Sequence, residues 1–286
     1  MLASVTLLAF GRKGYAFAAA NLIASLRHYG FGGDINLLVD DRCRTVLPDW
    51  VHPMASVKML PADIGNNPCD IKLQLPQLID GPTLYLDVDG VVLKNITPWI
   101  EALQKDGRAY ITEVKGKGKE GETIQYFEWA TPAKCREKHD LPDTAIFYGL
   151  QSSWAFMRPG LFLDEIYINA NAMYKKWALT DLKHKWGTTF PDELFFSLAC
   201  TVMGHDPSWT DTPMFFGKGF DSLPQVRDKY YILSLWGSGR GKGSVPPRHV
   251  EKYDAVMRQV MTAKGRPHDL KSNFIREDKF VDQKPR

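Results

Sequence analysis

Two carboxylates stand two residues apart inside an apolar run, Leu84-Tyr85-Leu86-Asp87-Val88-Asp89-Gly90-Val91-Val92. Acids are expensive to bury without a partner, so this placement calls for a chemical reason. Side chains two apart on an extended strand face the same side, and Asp87 and Asp89 could then reach one cation. A hard divalent ion held by one or two carboxylates keeps positions open for substrate phosphates. The residues suggest a metal–diphosphate site at the C-terminal end of a buried strand.

The elements that must position this pair are legible around it. Residues 5–10 read as a strand, followed by a turn at Gly11 and a helix over 15–29 whose apolar residues (Phe17, Leu22, Ile23, Leu26) recur at helical spacing. Gly30-Phe31-Gly32-Gly33 ends that helix, and 35–39 forms the next strand, closing at Asp40-Asp41. A short third strand is expected at 57–60. A helix is expected over 71–79, weakened by Pro76. Such alternation indicates a mainly parallel sheet with crossover helices. Ligands sit at the carboxyl ends of strands in such sheets, where Asp40 and the aspartate pair fall. Further on, the spacing predicts a strand at 109–114, a mobile Gly/Lys-rich loop to Gly121, a strand at 123–129, and a short strand at 154–157. Helices are expected over 163–179 and from Pro191 to about Met203. Pro191 at a helix start and acids in its first turn suit the helix dipole.

Composition narrows the class. At 44% hydrophobic and 24% charged residues, the 286-residue chain has the make-up of a globular enzyme. A net charge of +3 is too small for a general nucleic-acid binder. The charge is uneven, with twelve Lys/Arg against six Asp/Glu from Gly237 to Arg286 and a cluster at Lys115, Lys117 and Lys119. An anionic partner or simply solvated loops and a tail account for this equally well. The four cysteines form no CxxC pair, so reduced thiols and a cytoplasmic location are expected. The apolar start, residues 1–10, lacks a basic n-region and is too short for a membrane span, which needs about 20 apolar residues. It reads as the first strand, and no other stretch is expected to cross a bilayer.

The order of features resembles GT-A fold glycosyltransferases, above all the glycogenin-like and lipopolysaccharide sugar transferase group (family 8). That group's pattern "K-L … YLDADTLVLKNI" is similar to Lys72-Leu73 and then Leu84 to Ile96, with Lys72 fifteen residues before Asp87. Its "FN(A/S)G" element is similar to Leu150-Gln151-Ser152-Ser153, and its acidic helix start to Asp192-Glu193. Its "H-x-x-G-x-x-K" is matched by Ser234-Leu235-Trp236-Gly237-Ser238-Gly239-Arg240, where Ser replaces the metal-binding His and Arg the diphosphate Lys. Arg serves phosphate well, whereas Ser is a poor metal ligand. The third ligand is thus left open.

The resemblance implies an α/β GT-A fold. It implies one catalytic domain over 1–264, with a nucleotide-sugar half about 1–100, an acceptor half 101–264, and a basic tail over 265–286. Asp87 and Asp89 would hold Mn2+ or Mg2+. Phe10, Gly11, Tyr15 and Asp40 would line the nucleotide pocket. Lys72, Arg240 and Lys242 would meet the diphosphate of a donor, expected to be a UDP-sugar. Asp192, Glu193 and Gln151 would act at the reacting sugar, although an acid at a helix start also serves as a plain cap. Trp154, Trp186, Trp209 and Trp236 are sugar-stacking or core residues, and His205 and His249 are lone histidines. The acceptor is a hydroxyl on a glycan or saccharide. A different acceptor would be hydroxymethylated DNA, as in phages, with Lys115, Lys117, Lys119, Arg248, Lys252 and Arg258 on phosphates and the host cytoplasm as location. Two competing functions stand beside sugar transfer. One is a nucleotidyltransferase, which Gly11-Arg12-Lys13-Gly14 faintly echoes, and the second is a non-catalytic nucleotide- or glycan-binding module.

Overall fold

Apolar runs separated by Gly and Pro breaks fold here into an α/β architecture, a central sheet of mostly parallel strands flanked by helices. The computed structural model describes residues 2–64, 68–119, 131–178, 192–211, 213–215, 223–234 and 255–260. In chain order the elements are β1 (Ser4–Ala9), α1 (Lys13–His28), β2 (Ile35–Val39), α2 (Asp41–Arg44), β3 (Ser56–Met59), α3 (Pro68–Gln74), β4 (Thr83–Leu86), β5 (Gly90–Val92) and α4 (Thr97–Asp106). Then come β6 (Tyr110–Gly118), α5 (Pro132–His139), β7 (Phe147–Met157), α6 (Leu161–Ala178), α7 (Asp192–Val202), β8 (Met214–Phe215), α8 (Leu223–Lys229) and β9 (Ile232–Ser234). Two units are formed. One comprises Met1–Leu60, Leu86–Lys105 and Asp211–Arg286, the other Pro61–Tyr85 and Asp106–Thr210.

In the first unit β1 and β2 run parallel from Val5↔Ile35 to Ala9↔Val39, and β3 extends them in parallel. The small buried residues of α1 (Gly14, Ala16, Ala18, Ala19, Ala20, Ala24) let that helix lie close to its neighbours. Ser25, fully buried, donates from Oγ to Leu22 O (2.8 Å) and accepts from the Val92 N–H (3.0 Å). One hydroxyl thereby fixes β5 against α1. β5 pairs antiparallel with β9, and β9 parallel with β8. Beside them Trp99 stacks on Tyr231 at 5.7 Å.

In the second unit β6 and β7 are antiparallel. Helix α7 buries Leu194, Phe195, Phe196, Leu198, Ala199 and Cys200, and Tyr174 of α6 meets Phe195 edge-on at 5.3 Å. Tyr110 of β6 stacks on Phe196 at 5.1 Å.

Four sequence expectations change. The continuous strand over 84–92 is two strands, with Asp87-Val88-Asp89 a bend between them. β4 and β5 belong to different sheets, so same-face alternation along one strand does not set the direction of the two acids. Lys115–Gly118 is strand rather than mobile loop, because Lys117 and Gly118 pair with Tyr148 and Phe147. The short strand at 154–157 is the end of the eleven-residue β7, which absorbs Leu150 to Ser153. The helix over 71–79 stops at Gln74 and tightens to a 3-10 turn at Leu75–Gln77, since Pro76 supplies no N–H. The expected strand at 123–129 and the tail after Lys264 lie outside the described residues.

Removing the Ser25 hydroxyl leaves the buried Val92 N–H without its acceptor. Ser25→Ala is expected to lose about 1–3 kcal/mol in urea unfolding, and a loss below about 0.5 kcal/mol would show that the hydroxyl does not hold β5.

Candidate functional site

The bend after β4 keeps an alternating burial. Val88 is buried (5% exposed) while Asp87 and Asp89 are half-buried. Val88 anchors the turn in the core and both acids stay partly hydrated, which lowers the desolvation cost of their charge. The next residue, Gly90, is the cross-strand partner of Ser234. A Cβ on Gly90 would lie 3.1 Å from Ile232 Cγ2 and 3.4 Å from Leu233 O, so glycine permits the close approach of β9. The ladder continues through Leu93 N–H to Tyr231 O (2.8 Å). The buried Ser234, the expected counterpart of the family 8 metal-binding His, is thus brought beside the residue that follows Asp89. Arg240, Lys242, Trp236 and His249 lie outside the described residues.

Also in the first unit, the carboxyl ends of β1 and β2 are laced together. Asp40 accepts from Gly11 N–H on Oδ2 (2.8 Å) and from Cys43 N–H on Oδ1 (2.8 Å), capping α2 while holding the turn after β1. Gly11 has φ +82°, a left-handed conformation that favours glycine. Arg42 donates to Gly11 O (3.0 Å) and the Cys43 thiol to Arg12 O (3.1 Å). Burial, with Asp40 alongside, pushes the Cys43 thiol pKa up, so it stays protonated. Phe10 and Tyr15 flank this turn half-buried. Asp40 organises the loop that the sequence assigned to the nucleotide.

In the second unit α3 and α7 bring two expected residues together. Lys72 Nζ lies 4.0 Å from Asp192 Oδ2, with side-chain exposures of 17% and 5%, and 5.6 Å from the centre of the Tyr85 ring. Asp192 opens α7, where the helix dipole favours its charge, and Glu193 is half-buried beside it. Fully buried Tyr110 has its hydroxyl pKa pushed well up, first by burial, then by Cys200, Asp192 and Glu193.

Gln151 sits at an irregularity. Thr112 pairs with Ala155, but Glu113 pairs with Gln151, so residues 152–154 are extra in β7. The Thr112 hydroxyl staples the bulge, reaching Trp154 O (2.5 Å) and Gln151 O (3.2 Å). Gln151 Oε1 and Ser152 Oγ are buried with no hydrogen-bond partner among the described residues. Opposite Gln151, buried Glu113 forms an ion pair with Lys115, whose pKa burial lowers. Sequence reading missed Glu113, although an acid within Tyr110-Ile111-Thr112-Glu113-Val114 carries the same signal of an acid in an apolar run that singled out Asp87. Trp154 is fully buried and belongs to the core, not to a sugar-stacking face. His205 is also buried, and its ring Nε2–H donates to Tyr110 O (2.7 Å).

No family model and no curated protein matches the chain. Solved structures do. The galactosyltransferase LgtC, in complex with donor and acceptor sugar analogs, superposes with a TM-score of 0.55 at 12% identity, over 90% of this chain and 95% of that one. GlyE of Streptococcus pneumoniae TIGR4, an apo-form glycosyltransferase, gives 0.52 at 12% identity over 92% of this chain. The bifunctional glycosyltransferase WbbM gives 0.51 at 12% identity over 91%. The fold is that of the GT-A glycosyltransferases. This chain spans 52% of WbbM and 64% of GlyE.

Within this GT-A fold, the first unit carries Asp87, Asp89, Phe10, Gly11, Tyr15 and Asp40, and the second carries Lys72, Gln151, Asp192 and Glu193. The Lys72–Asp192 pair is long and Lys72 is partly hydrated, so its strength is well below that of a tight buried pair. A double-mutant cycle of Lys72→Met and Asp192→Asn is expected to give a coupling of about 1 kcal/mol in unfolding free energy. Additivity within about 0.3 kcal/mol would show that the two do not interact.

Proposed function

We propose that the chain is a metal-dependent glycosyltransferase that moves a sugar from a UDP-linked donor to a hydroxyl of a glycan or other saccharide. One observation carries this reading. The Asp87-Val88-Asp89 bend, in a GT-A fold, is joined through Gly90 to Ser234, the position that matches the ligand-bearing segment of family 8. Two half-buried carboxylates would supply hard oxygen donors of the kind that suit Mn2+ or Mg2+, with the remaining positions left to phosphate oxygens and water. Bound there, such an ion would supply Lewis-acid neutralisation of the departing nucleoside diphosphate.

In this reading Asp87 and Asp89 hold the ion. Phe10, Gly11 and Tyr15 contact the base and ribose on a turn that Asp40 keeps rigid. Lys72, Arg240 and Lys242 are the cations for the diphosphate, with Lys72 held in place by Asp192. Asp192 or Glu193 binds a reacting hydroxyl or stabilises positive charge at the anomeric carbon. Gln151 and Ser152 offer a carbonyl oxygen and a hydroxyl that sugar hydroxyls would satisfy, which accounts for keeping them buried and unbonded.

Charge pairing favours a saccharide over duplex DNA as acceptor. Lys115 is paired with Glu113 and Lys117 with Asp206 (2.9 Å), so neither presents an unpaired charge. The free, buried thiols of Cys43, Cys135 and Cys200 support a reducing compartment, the cytoplasm. No helix among the described residues is long and apolar enough to cross a membrane.

The test is release of UDP from a panel of UDP-sugars with saccharide acceptors, with Mn2+ and with a chelator. Chelation should abolish turnover and added Mn2+ restore it. Asp89→Asn should lower kcat/KM on the order of a hundredfold or more, as expected for losing several kcal/mol of charge stabilisation. Turnover that survives both changes overturns the mechanism. Pyrophosphate as the product would indicate nucleotidyl transfer, and nucleotide binding without turnover a non-catalytic module.

A further inference from the structure

Helix α6 of the second unit leaves one face to solvent. Its inner stripe, Leu163, Ile166, Tyr167, Ala170 and Met173, is buried. On the outer face Leu161 is 84% exposed and Ile168 60% exposed, and Ala172 is exposed with them. Spacings of seven and four place these three along one line of a helix. A single exposed Leu is unremarkable, but an apolar line on the outer face of an otherwise amphipathic helix is a feature of interaction surfaces.

The charges beside this line are ordered. Asp164 and Glu165 are exposed near its N-terminal end, Lys175 and Lys176 near its C-terminal end. Lys176 also donates to Lys138 O (2.6 Å) from that end. A helix with acids at one end and bases at the other is complementary to itself run backwards. A second copy, antiparallel and centred near residue 170, sets Asp164 opposite Lys176, Glu165 opposite Lys175, and Ile168 opposite Ala172. The last pairing seats a large side chain against a small one, as ridge-into-groove packing requires. An anionic lipid surface would attract the lysine end and repel the acidic end, so the charge order favours a second copy.

We propose that the outer face of α6 is the interface of a two-fold symmetric homodimer in which two α6 helices pack antiparallel. The contact is isologous, each copy supplying both the acidic and the basic end. Two helices of about 27 Å each bury less than a standard interface of roughly 1,600 Å², which puts the contact in the weak, transient class. This inference is independent of the catalytic reading, since none of its residues belongs to that machinery.

Sedimentation velocity of the full chain from about 1 to 100 µM should show the mass rising from 32.4 kDa towards twice that value. Ile168→Asp should weaken association on the order of a hundredfold, as for a central apolar anchor. The exposed-surface variants Asp164→Lys/Glu165→Lys and Lys175→Glu/Lys176→Glu should each remain monomeric alone, and mixing them should give a one-to-one heterodimer. A monomer at every concentration, including one that binds anionic vesicles instead, overturns the proposal. So does a dimer that survives all three sets of changes. Failure of the two charge variants to pair on mixing overturns the antiparallel arrangement.

Discussion

A carboxylate inside a β-sheet must be paired or hydrated, and the chain around Asp87 and Asp89 is built to that constraint. β4 is wholly buried and ends at Leu86, one residue before the first acid. β5 resumes at Gly90, one residue after the second, in a different sheet. Between them Val88 alone enters the core, so two charges sit half-hydrated on a backbone fixed at both ends by buried apolar strand. A short, anchored bend is a better support for a cation site than a loop, because its ends lose little freedom when a ligand binds.

Single small groups brace the first unit, some of them next to that bend. The Ser25 hydroxyl holds β5 to α1, glycine at position 90 admits β9, and the Asp40 carboxylate ties the turn after β1 to the end of β2. Each is a single small group at a place where a larger or apolar residue would leave a buried N–H unsatisfied or force a clash. The second unit uses the same economy. The Thr112 hydroxyl staples the bulge in β7, and that bulge sets Ser152, next to the paired Gln151, apart from the regular ladder. Bulges recur beside active sites for this reason, since they turn side chains out of the strand alternation.

The electrostatics of the two units differ. Around Asp40 the partners are backbone N–H groups, so its charge is balanced by dipoles. In the second unit, charges answer charges: Lys72 with Asp192, Lys115 with Glu113, Lys117 with Asp206, and Arg108 with Asp106 (2.6 Å). This pairing explains why a run of lysines that looked mobile and basic is ordered strand. The acids that neutralise Lys117 and Lys72 are 89 and 120 residues away, beyond the reach of local pattern.

The sequence by itself determined the α/β class and the parallel β1–β2 core, and it singled out Asp87 and Asp89 as acids in an apolar run. Apolar periodicity and the desolvation cost of a buried acid are local properties, readable within a few residues. It also named Lys72 and Asp192, through family resemblance rather than spacing, but not that the two side chains approach each other. Only the tertiary structure decided that the run over 84–92 is two strands, that Ser234 lies across from Gly90, that Asp40 spends both oxygens on backbone N–H groups, and that Glu113 faces Gln151 beside a three-residue bulge. Those outcomes depend on which strand supplies the next hydrogen bond. That choice is made between segments far apart in the chain.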